Sequence, residues 1–170
     1  MKKHILLFSI LIWSVLSCDN NSLEETPLTM INIYKGELYG NGQENISKQN
    51  TVIKNTSDWD ELMDKMNSVN NVTERFSETN IDFSNYIIIA VFDEVKMYGG
   101  HSIDITSITE HDENIIVSVE NLLPGCLAAV ITQPFHIVKI PKTNKPIVFE
   151  KFLARINPNM PVKRNYYACR

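Results

Sequence analysis

The apolar side chains Trp59, Leu62, Met63 and Met66 recur three and four positions apart, with Val69 one step further on, and polar residues fill the positions between. That period lays a single apolar stripe along a helix, of the kind that packs a core. Thr56 or Ser57 offers a hydroxyl to the free amides at its start, and Asp58, Asp60 and Glu61 follow where the helix dipole favours negative charge. Asn67-Ser68-Val69-Asn70-Asn71 has loop composition and ends it. Elsewhere the spacing changes to two. Residues 30–34, 51–53 and 147–149 read as short strands. In 102–108, Ile103 and Ile105 alternate with Ser102, Asp104 and Thr106, and in 115–120, Ile115, Val117 and Val119 alternate with Ser118 and Glu120. The polar connection 110–114 is short enough for a hairpin. Residues 128–132 and 135–140 continue the strand pattern, with Pro134 and Pro141 as limits. Tyr86-Ile87-Ile88-Ile89-Ala90-Val91-Phe92 does not alternate at all, which predicts a strand buried on both faces at the centre of a sheet. The class this predicts is α+β: a mostly antiparallel sheet of about seven strands with one amphipathic helix packed on it.

Ahead of this region the pattern serves export. Met1-Lys2-Lys3-His4, an apolar run from Ile5 to Leu16 broken by Ser9 and Ser14, and Ser17-Cys18 make a basic, an apolar and a small-residue region in the order of a secretory signal. The run is short of the roughly 20 residues that span a bilayer. Val15-Leu16-Ser17-Cys18 resembles the bacterial lipobox, which implies cleavage before Cys18 and acylation of its thiol. Several acyl chains at about 0.8 kcal/mol per buried methylene tether a domain firmly to a bilayer. The expected organisation is a lipoprotein signal peptide over 1–17, a lipidated Cys18 with a flexible tether over 18–28, and one domain over 29–170. Its expected location is extracytoplasmic, lipid-anchored at the outer membrane or cell envelope. Loss of Lys2 and Lys3 leaves 14 basic against 20 acidic side chains, a net charge of −6, so lipid and not side-chain charge would hold it at an anionic surface.

Composition narrows the function classes. At 44% hydrophobic and 21% charged residues the chain suits one folded domain and lacks the basic field that tracks nucleic acid. GxSxG, P-loop, HExxH, EF-hand and paired CxxC patterns are absent from the sequence, so no catalytic residue, cofactor or metal is assigned. His101, Cys126 and His136 do not have ligand spacing, and both histidines read as half-exposed polar positions in strands. With Cys18 acylated, Cys126 and Cys169 remain as a candidate disulfide, closing a loop worth up to roughly 4 kcal/mol, with two thiols as the alternative. Gly99-Gly100 permits positive φ and close backbone approach, either for a turn of the fold or for a docking chain.

Tyr98-Gly99-Gly100-His101-Ser102-Ile103-Asp104-Ile105 and Gln133-Pro134-Phe135-His136-Ile137-Val138-Lys139-Ile140-Pro141, about 30 residues apart and after a buried apolar strand, resemble the C-terminal domain of the protease complex subunit PrcB family. The resemblance extends over about 51–149, with His101 where an aromatic is common. It implies a non-catalytic accessory lipoprotein associated with an exported protease. Gly99, Gly100, His101, Ser102, Asp104 and Thr106 are the candidate binding residues, and the expected partners are the lipid bilayer and an exported protein. The alternative function is a surface lipoprotein that binds a peptide or glycan for an uptake system.

Overall fold

A computed structural model describes residues 25–123, 125–126 and 128–151. In chain order these form β1 (Thr26–Pro27), β2 (Ile31–Leu38), β3 (Gln49–Ile53), α1 (Thr56–Asn67), a 3-10 turn (Val72–Arg75), β4 (Tyr86–Phe92), β5 (Asp104–Glu110), β6 (Ile115–Glu120), β7 (Gln133–Pro141) and β8 (Ile147–Lys151). The class is α+β, and the strands divide between two sheets of four, ordered β2-β7-β4-β3 and β1-β5-β6-β8. Every pairing is antiparallel except β6 with β8, which run parallel. The described strands thus number eight, slightly more than expected.

The unbroken apolar run of β4 has its cause in a three-layer arrangement. Ile88, Ala90 and Phe92 face the helix layer with Trp59, Leu62 and Met66, while Ile87, Ile89 and Val91 face the second sheet with Ile105, Val117 and Val119. β7 divides in the same way, with Phe135 and Ile137 toward the helix and Val138 and Ile140 toward the second sheet. Each such fully buried aliphatic side chain contributes roughly 1.5–3 kcal/mol, so the central pair of strands anchors both cores. On the helix side Trp59 is 1% exposed, and its indole N–H donates to the Thr79 carbonyl at 2.7 Å, which leaves that ring no polar deficit.

Local chemistry corrects several boundaries. The helix cap is Asn55, ahead of the expected Thr56 or Ser57, and the Asn55 side-chain oxygen accepts the Asp58 amide at 2.9 Å. Val69 falls beyond the helix and is exposed. Residues 128–132 were expected to be a strand, but there only Thr132 pairs, in an isolated antiparallel bridge with Lys96. The tether contributes Thr26 and Pro27 to the edge of β5, and the Leu28 amide donates to the Ile108 carbonyl at 2.8 Å. In β5 the register slips between Ile105 and Ser107, a bulge that lets Ile105 and Ile108, three apart, both reach the core.

Candidate functional site

Two loops cross between the sheets at one end of the molecule: 93–103 carries the chain from β4 to β5, and 121–132 returns it from β6 to β7. They bind one another through their backbones. Lys96 and Thr132 exchange N–H to O bonds at 2.7 and 3.0 Å, Gly99 donates to Ala128 at 3.1 Å, Cys126 donates to Gly99 at 2.9 Å, and Ser102 donates to Leu123 at 3.3 Å. The glycine pair makes this contact possible. A Cβ on the buried Gly99 would lie 2.8 Å from Val130 Cγ1. Gly100 has φ +75, and a Cβ there would lie 2.6 Å from Cys126 Sγ. The backbone that approaches Gly99-Gly100 in the structure is the chain's own second loop.

Beneath the loops lies a buried polar network. The Ser102 hydroxyl donates to Asp104 Oδ2 and accepts the Leu123 amide at 3.1 Å, and Lys35 reaches Asp104 Oδ1 at 2.6 Å. Burial raises the Asp104 carboxyl, but Lys35 and Ser102 outweigh it and hold the group below its ordinary value. Alongside, Asn121 donates to the Ser102 carbonyl at 2.8 Å and to Asp93 Oδ2 at 2.9 Å, so its amide links Asp93 to Ser102, the residue whose hydroxyl holds Asp104. Asp93 is further paired with Lys48 at 2.7 Å and Lys96 at 3.0 Å. Burial pushes its carboxyl up, and these cations with the Glu94 amide bring it down to about 2. Both carboxylates are therefore fixed, charged joints between loops and strands.

His136 departs from the expected half-exposed position. It is 7% exposed on the inter-sheet face of β7, where Nδ1 accepts the Ile105 amide at 2.9 Å and Nε2 lies 3.1 Å from Asn32 Oδ1. Accepting at Nδ1 requires the neutral ring with its proton on Nε2, donated to Asn32. Burial first, then the nearby Lys35 charge, lower its pKa to about 4 against the opposing pull of Asp104. Ser102, Asp104 and His136 consequently do not form a relay of nucleophile, base and orienting acid: the serine hydroxyl donates to the carboxylate, and both imidazole nitrogens are engaged elsewhere.

Of the expected binding residues, Gly99, Gly100 and His101 lie in the paired loops, with the His101 ring packed against Gly125. Ser102 and Asp104, expected as polar positions on an open strand face, are buried, and Thr106 stands exposed at the β5 bulge. Cys126 is half-buried beside Gly100, while Cys18 and Cys169 lie outside the described residues. Sequence reasoning missed Lys35, Asp93, Asn121 and the double engagement of His136; Lys35 with Asp104, Asn121 with Asp93, and His136 with Ile105 and Asn32 are 28 to 104 positions apart. Among the described residues no group of three His, Cys, Asp or Glu could hold a metal, and no helix is long and apolar enough to cross a membrane. A cleft of about 390 Å³ is lined by Glu37, Tyr39, Asn70, Asn71, Val72 and Arg75, and Glu37 also accepts the Thr132 hydroxyl of the second loop at 2.8 Å.

Residues 87–141 match the family described as PrcB C-terminal. The match runs from β4 through β7, takes in both crossing loops, and is narrower than the 51–149 over which the motifs suggested resemblance. No curated protein and no solved structure matches the chain.

Proposed function

We propose that the protein, whose residues 87–141 match the PrcB C-terminal family, is a membrane-anchored, non-catalytic accessory lipoprotein that assembles with or stabilises an exported protease. The family match carries this reading. Its supports are chemical: the matched segment spends Ser102, Asp104 and His136 on joining strands and loops, and the lipobox-like Val15-Leu16-Ser17-Cys18 gives a means of attachment. The function is then binding at the envelope surface, with acylated Cys18 in the bilayer and an exported protein as partner.

The purified soluble form, residues 19–170, is expected to hydrolyse neither casein nor esters, to be indifferent to chelators, and to retain an exported protease when solubilised envelope is passed over it. Turnover abolished by one substitution that leaves the fold intact would overturn the reading. The Cys18→Ala chain is expected to lose maturation and membrane attachment; a mature, membrane-bound Cys18→Ala protein contradicts the anchor.

A second reading has its own observation. The cleft combines the exposed Tyr39 ring with the side chains of Glu37, Asn70, Asn71 and Arg75, the stacking and hydrogen-bonding groups that a glycan or peptide ligand uses. Glycan-array or peptide-library binding that Tyr39→Ala abolishes would favour a ligand-capturing lipoprotein.

A further inference from the structure

The end that carries the paired loops also carries, among the described residues, the most exposed large apolar side chains. Met97 is 66% exposed, Tyr98 57%, Leu122 55% and Leu123 53%, with Val130 beside them. The backbone bonds between the loops bring these residues to one end. Apolar groups gathered in this way are ordinarily covered.

The topology says what is delivered there. β8 runs parallel to β6, with Lys151 beside Val119, so the chain leaves β8 at the end where β6 passes through Glu120 into Leu122 and Leu123. The segment that follows, 152–170, contains Phe152, Leu153, Ile156, Met160, Tyr166 and Tyr167, no acidic residue, and Cys169 one residue from its end. The roughly 18 residues from Lys151 to Cys169 could extend about 60 Å, several times what is needed to cross the end of a domain this size. On the loops Cys126 is half-buried against Gly100, next to the apolar run.

We propose that the occupant of this apolar end is the protein's own C-terminal segment, 152–170, laid across Met97, Tyr98, Leu122 and Leu123 and fastened by a disulfide between Cys126 and Cys169. Forming the bond removes one proton and one electron from each thiol, and an oxidised envelope dithiol carrier takes up both electrons and both protons as its own disulfide is reduced. The strap makes coverage of the apolar end dependent on redox state.

The test uses the full-length protein in its membrane. After alkylation without reductant, digestion is expected to give one linked peptide pair containing Cys126 and Cys169. A photo-crosslinking residue placed at Leu122 is expected to join residues 152–170 of the same chain. Reduction, or Cys169→Ser, is expected to raise Met97 oxidation and Tyr98 labelling several-fold while the amides of β4 and β7 stay protected, which separates strap release from unfolding. Alkylation of both Cys126 and Cys169 in unreduced protein would overturn the fastening. Crosslinking of Leu122 to a second copy or to another protein, or labelling unchanged by reduction with β4 still protected, would overturn the proposed occupant.

Discussion

His136 and Asp93 give the stability of this domain a pH dependence whose direction follows from their surroundings. His136 has its pKa lowered from 6.5 to about 4, so below pH 6.5 the unfolded chain takes a proton that the folded chain refuses. Its contribution, on the order of 3 kcal/mol, is present above pH 6.5 and is lost as the pH falls from there to about 4. Asp93, lowered from 3.8 to about 2, contributes above pH 4 and loses its contribution as the pH falls toward 2. Urea unfolding between pH 7 and pH 4.5 should therefore show falling stability, and His136→Asn, which keeps an acceptor for the Ile105 amide, should flatten that slope. The imidazole C2 proton of His136 should stay unshifted down to about pH 5. Gly100→Ala places a side chain at φ +75 against Cys126 and should cost about 1–3 kcal/mol by thermal unfolding, whereas Thr106→Ala at the exposed bulge should cost about 0.5 kcal/mol or less.

At the scale of the elements, α1 holds the helix-side core through a few side chains. Trp59→Ala removes a ring that is 1% exposed, stacks near Phe76 at 6.0 Å and donates to Thr79, and should destabilise by about 3–5 kcal/mol. Asn55→Ala removes the cap and should cost about 1 kcal/mol, measured by the same unfolding curves. The helix and β4 were legible in the sequence because burial stamps a local period on each: one stripe for Trp59, Leu62 and Met66, continuous apolarity for residues covered on both faces. β1 was not, since a Thr-Pro pair has no period. The parallel pairing of β6 with β8 was not, because it depends on where a crossing loop returns the chain. Residues 128–132 misled because an apolar run suits a loop packed on Gly99 as well as a strand. In the site, Gly99-Gly100 could be read as a place of close approach, but whose backbone approaches is a tertiary fact. Lys35 with Asp104, 69 positions apart, and His136 with the Ile105 amide, 31 apart, leave no local trace.

The described residues form three layers, helix on sheet on sheet, with the crossing loops gathered at one end and the matched segment forming the middle. In that arrangement Asp93, Asp104 and His136 hold strands and loops together through their bonds to Lys48, Lys35, Ser102, Asn121 and the Ile105 amide. On the reading proposed above, function falls to surfaces, as that of an accessory subunit beside an exported partner. The measurement that bears most directly on this is crosslinking in the native membrane at exposed polar positions such as Thr106 and Ser107 of β5, followed by identification of what is joined. The account expects an exported protease attached in a stable, stoichiometric complex that survives solubilisation. Recovery of an outer-membrane transporter in its place, with no protease joined, would contradict it and return the molecule to ligand capture.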